Sequence, residues 1–217
     1  MRTELIDTLL DLMAPEAGDF DAHQYARRLA EHAVARVPAR DAGVLLADTA
    51  GPVIAGTGSA AALVKFQFDH DEGPVPGYLH SGSSTGDSWP RFSAACAEAG
   101  YSSVHAVPIG ASGVLCLFDP VGNFADTGTR LASVAALRLA HQRDLHQLDV
   151  RLRHLQAALD SRIVIEQAKG MLAERHKIGV DTAFEGLRRY ARDHNQRVAD
   201  LARAVVEGRD PVRAKDF

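Results

Sequence analysis

Three arginines and a lysine near the C-terminal end are the residues of this chain best placed to hold a polyanion. Arg188, Arg189 and Arg192 lie in a segment where Ala183, Phe184, Leu187, Tyr190 and Ala191 recur every three or four positions, the period of a helix. Side chains at that spacing are neighbours, so each charge can be checked for a partner. Arg189 has Glu185 four residues before it and Asp193 four after, and is expected to be neutralised locally. Arg192 has Arg188, Arg189, Asn195 and Gln196 around it and no acid, while Arg188 shares only Glu185. Two arginines one turn apart cost a few tenths of a kcal/mol in an isolated helix. A phosphate turns that cost into a gain, because guanidinium groups fork onto its oxygens; a solvated basic face is the competing explanation. Lys169 beside Gly170, and Arg175 with no acid at helical spacing, extend the set, with Arg197 further along. Tyr190 could stack on an unpaired base, although its spacing puts it on the apolar side of its helix. Gly170 within a helix costs roughly 1 kcal/mol relative to Ala, and a tight contact with a second helix is expected to explain it.

The charge of the whole chain is −4, unevenly spread. From Val150 to Phe217 there are 14 Lys+Arg against 10 Asp+Glu, or +4; Met1 to Asp149 has 10 against 18, or −8. An acidic body with a basic appendage is a weak pointer to a polyanion partner. At 217 residues, 46% hydrophobic and 24% charged, the chain suits a globular domain plus a smaller one. No apolar run approaches the roughly 18 residues of a membrane span. The Leu5–Met13 stretch carries Asp7 and Asp11, unlike the apolar core of a secretion signal, so a cytoplasmic protein with no membrane partner is expected. Cys96 and Cys116 are far apart in sequence, with no CxxC and no clustered histidines, so neither disulfide nor metal site nor cofactor is expected.

These residues must be positioned by secondary structure that changes period along the chain. Leu5, Ile6, Leu9, Leu10 and Met13 mark an amphipathic helix over Arg2–Met13, and Asp19 or Asp21 can cap a second helix to Arg36. Gly43–Ala47 and Pro52–Gly56 read as the arms of a hairpin turning at Asp48–Gly51. Ser59 is placed to cap a helix to about Phe68, and a Gly-, Pro- and Ser-rich loop follows over Asp71–Pro90. Trp89–Ala99 reads as a helix stopped by Gly100, then strands follow at Ser103–Ile109 and Val114–Phe118. Helices are expected on one side of the sheet. The order describes an α+β domain.

After Thr127 the helical pattern runs to Gly170. Leu145, Leu148, Leu152, Leu155 and Leu159 are spaced 3, 4, 3, 4, a two-heptad seam that predicts a homodimeric coiled coil. A single amphipathic helix packed on its own domain is the alternative. In a parallel pair Asp144 would face Asp149 of the partner. Beyond it, Gly170, Gly179 and His194-Asn195 divide the chain into three helical pieces: one with Ile165, Ala168 and Leu172, one starting near an Asp181 cap, and one with Val198, Leu201, Ala202, Val205 and Val206. Each is too short to be stable alone, so the three must bury their stripes together.

The run Ser161-Arg-Ile-Val-Ile-Glu-Gln-Ala-Lys-Gly-Met-Leu-Ala-Glu-Arg175, then Asp181-Thr-Ala-Phe-Glu-Gly-Leu-Arg-Arg-Tyr-Ala191 and Val198-Ala-Asp-Leu-Ala202, resembles an ANTAR domain in order and spacing. The resemblance implies an RNA-binding transcription antiterminator, not an enzyme, that binds stem-loops in leader transcripts as a dimer. Asp71-Glu-Gly-Pro74, Trp89-Pro-Arg-Phe92 and Ser103-Val-His-Ala-Val-Pro-Ile109 resemble a GAF domain of the kind fused to ANTAR in actinobacteria, and imply a small-molecule or protein signal. Residues 1–130 are then a GAF-like sensor with an antiparallel sheet and flanking helices, 131–160 a coiled-coil linker helix, and 161–217 a three-helix ANTAR bundle. Lys169, Arg188 and Arg192 lead the RNA-contact set, with Arg175, Arg189, Tyr190 and Arg197 behind them. DNA binding by a helix-turn-helix is the alternative, opposed by Asp200 and Glu207 on the third helix. A thiol-dependent enzyme would need reactive cysteines close in space.

Overall fold

Short apolar segments separated by turns pair into one antiparallel sheet, and amphipathic helices cover it. The computed structural model describes residues 2–15, 19–48, 51–81, 89–122 and 124–209. In chain order the elements are α1 (Arg2–Met13), α2 (Ala22–Arg36), β1 (Asp41–Asp48), β2 (Gly51–Gly56), α3 (Ala60–His70), α4 (Pro74–Ser81), α5 (Pro90–Glu98), β3 (Val104–Pro108), β4 (Gly113–Phe118), α6 (Phe124–His176), α7 (Val180–Asp193) and α8 (Val198–Val206). The chain divides into two units, Met1–Asp144 and Leu145–Phe217. None of the described helices is long and apolar enough to cross a membrane.

In the first unit the strand order is β2-β1-β4-β3, every pair antiparallel. Successive side chains of a strand point to opposite faces, and here both faces are buried. Val44, Leu46, Leu115 and Leu117 enter one core with Leu29, Ala33 and Leu131. Leu45, Val114, Cys116 and Phe118 enter another with Val64, Val75 and Phe92. Helices therefore cover both faces rather than the one expected. This explains why β1 and β4 read as continuous apolar runs without clean alternation. The first core takes in Leu131, Ala132, Ala135 and Leu139, so the first unit extends past Arg130.

The caps differ from expectation in informative ways. Of the two aspartates offered for α2, Asp21 does the work, accepting from the N–H groups of His23 at 2.8 Å and Gln24 at 3.1 Å. Ser59 makes no side-chain cap to α3. Part of the stretch expected to be a loop is helix α4. Pro74 and Pro76 fall in its first turn, where a missing N–H does no harm, and Val75 is fully buried. Residues 82–88 of that stretch, and Thr49-Ala50 of the predicted hairpin turn, lie outside the described residues. Gln67 Oε1 accepts from Val75 N at 3.1 Å. Gly73, at φ 120, lies where a Cβ would come within 2.5 Å of Gln67, so only glycine fits. Glu72 Oε1 accepts from Arg91 N at 2.7 Å and Phe92 N at 3.3 Å, capping α5 from nineteen residues away. The two GAF-like stretches, Asp71–Pro74 and Trp89–Phe92, thus meet through a single carboxylate. Gly100 follows α5 at φ 79, as its position past the last turn requires.

The second unit is held by Ala168 and Leu172 of α6, Ala183, Leu187 and Ala191 of α7, and Leu201, Ala202 and Val205 of α8. Gly170 does not divide the chain; α6 continues to His176, and Lys177 at φ 55 turns it out of the helix. The cap of α7 is Gly179, not Asp181, which instead sits in the first turn with its carboxylate near the positive end of the helix.

After β4, Asp119 accepts from Ser102 N at 2.8 Å, Ser103 N at 2.9 Å and Ser102 Oγ at 2.9 Å. The backbone N–H of Ser102 first, then the Ser102 hydroxyl, Ser103 N–H and the Arg40 charge hold this carboxyl below its ordinary value of 3.8. A depressed carboxyl adds stability above the unfolded pKa that disappears as pH falls through the folded one. Asp119→Ala is expected to lower unfolding stability by about 1–2 kcal/mol at pH 7. Its difference from the parent should shrink as pH falls below the ordinary carboxyl value and through the depressed one, measured by urea denaturation at stepped pH.

Candidate nucleic-acid interface

Helix α7 is amphipathic because one side must join the small core. Ala183, Gly186, Leu187 and Ala191 are buried, while Glu185, Arg188, Arg189 and Arg192 are exposed. Phe184 lies between the two sides, half-buried. Two cations sit on its ring: Lys169 Nζ at 5.1 Å and Arg188 Cζ at 5.7 Å from the centroid. Contacts of this kind are worth about 0.5–1 kcal/mol at exposed sites, and they orient both cations. The structure thereby joins Lys169 on α6 to Arg188 on α7, with Arg192 one turn beyond Arg188 on the exposed side.

The predicted residues differ in how available they are. Lys169 is held by Glu166, three residues before it, at 2.9 Å, and only 14% of its side chain is exposed. Arg188, Arg189, Arg192 and Arg197 are exposed and, among the described residues, form no ion pair. For Arg189 this corrects the expected neutralisation by Glu185 and Asp193: helical spacing brings those acids within reach, but the guanidinium stays in solvent. Arg175 is exposed on α6, and Arg197 is the N-cap residue of α8. Tyr190 is half-buried against the core, and one face of its ring is taken by His194, stacked at 3.9 Å and 12°. His194 Nδ1 lies 2.9 Å from Tyr190 O, which fixes that stack at the end of α7. Phe184 and Glu166 were not singled out from sequence. An aromatic four residues before an arginine was the available signal for Phe184, and an acid three residues before a lysine was the signal for Glu166.

Gly170 faces open space. A Cβ built there meets nothing within 4 Å, so the tight intramolecular helix contact expected for it is absent. The penalty of roughly 1 kcal/mol for glycine in this helix is not explained by a neighbour too close for a Cβ among the described residues.

Among the described residues, no cluster of three or more His, Cys, Asp or Glu is arranged to hold a metal. Cys96 and Cys116 share one core cluster, closer than their sequence separation suggests. Burial first, with nearby charge adding, pushes Cys96 up to about 11; burial pushes Cys116 up to about 12. Neither offers thiolate near neutral pH. In the first unit a shallow cleft of about 410 Å³ lies along edge strand β2, lined by His23, Val53, Lys65 and Phe68 among others.

Residues 153–206 match the family model of the ANTAR domain. This segment is an ANTAR domain. It takes in the leucines from Leu155, all of the Lys169–Phe184–Arg188 cluster, and α7 and α8. The nitrate regulatory protein of Klebsiella oxytoca is 38% identical over 63 residues, covering 29% of this chain and 16% of that protein. The chain therefore spans about a sixth of that relative's length. A solved structure of an RNA-binding light-oxygen-voltage receptor aligns over 77% of this chain and 46% of its own, with 21% identity and a TM-score of 0.31.

The buried thiols give a direct check. At pH 7.5 the folded protein should react with a thiol reagent about 100-fold more slowly at Cys96 than an ordinary cysteine of pKa 9.0, and more slowly still at Cys116. Two thiols should titrate promptly once the protein is unfolded.

Proposed function

We propose that the ANTAR domain binds stem-loops in leader transcripts and so keeps a terminator hairpin from forming, under control of the first unit. The observation that carries this reading is the pair Arg188 and Arg192: exposed, in no ion pair among the described residues, and one turn apart, with Arg188 over Phe184 in the ANTAR domain. Lys169 joins them if it exchanges Glu166 for phosphate. Arg175, Arg189 and Arg197 add positive potential around them, and Tyr190 serves mainly the core. The relative in Klebsiella oxytoca is by its name a regulatory protein, which supports a regulatory role.

The chain acts in this reading as a homodimer through Leu145, Leu148, Leu152, Leu155 and Leu159, so that two linked bundles hold two RNA loops. Linked sites raise affinity about 100-fold or more only where geometry lets both engage, which makes dimer geometry a means of control. The first unit is a GAF-like sensor of a small molecule or protein. Support comes from its antiparallel sheet covered by helices on both faces and from the Glu72 bridge between the two GAF-like stretches. No catalysis is assigned to it.

Phosphate contacts release counterions, with a log–log salt slope near −0.7 per contact for single-stranded loops. Four guanidiniums in a dimer give a slope of about −3, and six cations, with Lys169 released from Glu166, about −4. The Arg188→Ala/Arg192→Ala double variant should flatten the slope to about −1.4 or less while circular dichroism stays unchanged. Leader-RNA affinity that ignores both salt and these substitutions refutes the reading. Duplex DNA competing as well as leader RNA would replace it with DNA binding.

A further inference from the structure

The turn between α7 and α8 is closed by its own backbone. Asn195 is left-handed, at φ 50. Its N–H donates to Arg192 O at 3.1 Å, and that of Gln196 donates to Ala191 O at 2.9 Å. This pair of bonds ends a helix without help from side chains, and asks only that the left-handed residue tolerate positive φ. Glycine does so at least cost, and asparagine is among the few others that do. Yet Arg192, Asp193, His194, Asn195, Gln196 and Arg197 are six consecutive exposed polar residues. Among the described residues, all of their side chains except that of His194 are outside any hydrogen bond or ion pair.

His194 is committed, and the commitment fixes its ring. The imidazole lies on Tyr190 with centroids 3.9 Å and planes 12° apart, and Nδ1 lies 2.9 Å from Tyr190 O. A carbonyl only accepts, so Nδ1 carries the proton and Nε2 is left as an acceptor. Tyr190 covers one face of the imidazole. The residue is exposed, so the other face is open to solvent. A flat ring held in one plane with a bare face is a platform for a second flat ring. Its rotamer is already fixed, so little freedom is lost when something settles on it.

The chemistry around the platform suits a base better than a phosphate. The C-terminal end of α7 is the negative end of its dipole, which disfavours an anion placed directly on it. A base is neutral. The amides of Asn195 and Gln196 each offer a donor beside an acceptor, and Arg192 and Arg197 offer forked donors, the groups that read base edges. At 1.5 Å per residue, Arg188 lies only about 9 Å before His194 along the helix. A strand whose phosphates rest on Arg188 and Arg192 is thereby led to the turn. Bases in a paired stem have both faces covered by their neighbours, whereas unpaired loop bases are free to stack on a side chain and be bonded at their edges.

We infer that the α7–α8 turn is the base-reading element of the RNA site. An unpaired loop base stacks on the bare face of His194, and the amides of Asn195 and Gln196 bond its edge. This rests on the RNA binding proposed above and adds the place where sequence is read, apart from the phosphate contacts of Arg188 and Arg192.

The probe is a pool of RNA hairpins sharing one stem, with six randomised loop positions, captured by the full-length protein and sequenced. The parent should enrich a preferred base at one or more loop positions. Against the enriched hairpin, His194→Ala should weaken binding about 10-fold or more, as loss of a base stack does. Its salt slope should stay that of the parent, because no phosphate contact is removed. His194→Phe keeps a flat ring without the bond to Tyr190 O, and should bind within about 3-fold of the parent. Asn195→Gly/Gln196→Ala preserves the left-handed turn and should relax the loop preference. Equal losses in His194→Ala and His194→Phe, with matching falls in melting temperature, would make His194 a helix cap and overturn the inference. A parent that enriches no loop base, a His194→Ala variant that binds like the parent, or an amide variant with unchanged preference would overturn it too. In each of these cases a salt slope still flattened by Arg188→Ala/Arg192→Ala leaves RNA binding standing, whereas a parent that captures no hairpin ends both.

Discussion

The small core in which Leu172 of α6, Leu187 of α7 and Leu201 and Val205 of α8 meet decides what the rest of the C-terminal unit presents. Helices of 14 and 9 residues do not persist alone in water. They exist here because alanines at 168, 183, 191 and 202 let the helices approach closely around the leucines. Once Leu187 is inward, Arg188 and Arg192 have no choice of side. Moving the buried stripe by one residue would swing every exposed side chain by about 100° and scatter the cations. The outward pattern is thus a consequence of the inward one, and any substitution that loosens the core removes the interface with it.

How far this was legible from sequence depended on whether a feature was periodic or was a meeting of distant residues. The positions of α7 and α8 that enter the core could be read from spacing alone, because a helix repeats the same geometry each turn. The hairpin and the later strands were legible too, since short apolar runs between turn residues leave few alternatives. The faces of the sheet were not. A strand buried on both sides loses the alternation that would reveal its helices, and β1 and β4 are buried on both. Helix α4 was hidden by its own composition: prolines and a glycine read as a loop, until Val75 finds a buried place and Gln67 supplies an acceptor.

Ion pairing shows the same limit at finer scale. Spacing says which charges are able to meet, not which do. Arg189 has acids at both helical positions and pairs with neither, while Lys169 is held by Glu166 and reaches Phe184 on another helix. The second contact depends on how α6 packs on α7, which no local pattern records. Gly170 was legible as an anomaly but not in its surroundings, because spacing along one helix does not record whether another element lies over it.

That ambiguity falls beside the cation cluster. Lys169 and Gly170 are consecutive, so the glycine with open space beside its backbone is bonded to the residue whose ammonium rests on the Phe184 ring. Lys169 is shared between Glu166 on its own helix and Phe184 on the next. For a phosphate to take it, one charge-assisted contact must be exchanged for another of similar strength, so the ion pair with Glu166 sets whether Lys169 joins Arg188 and Arg192.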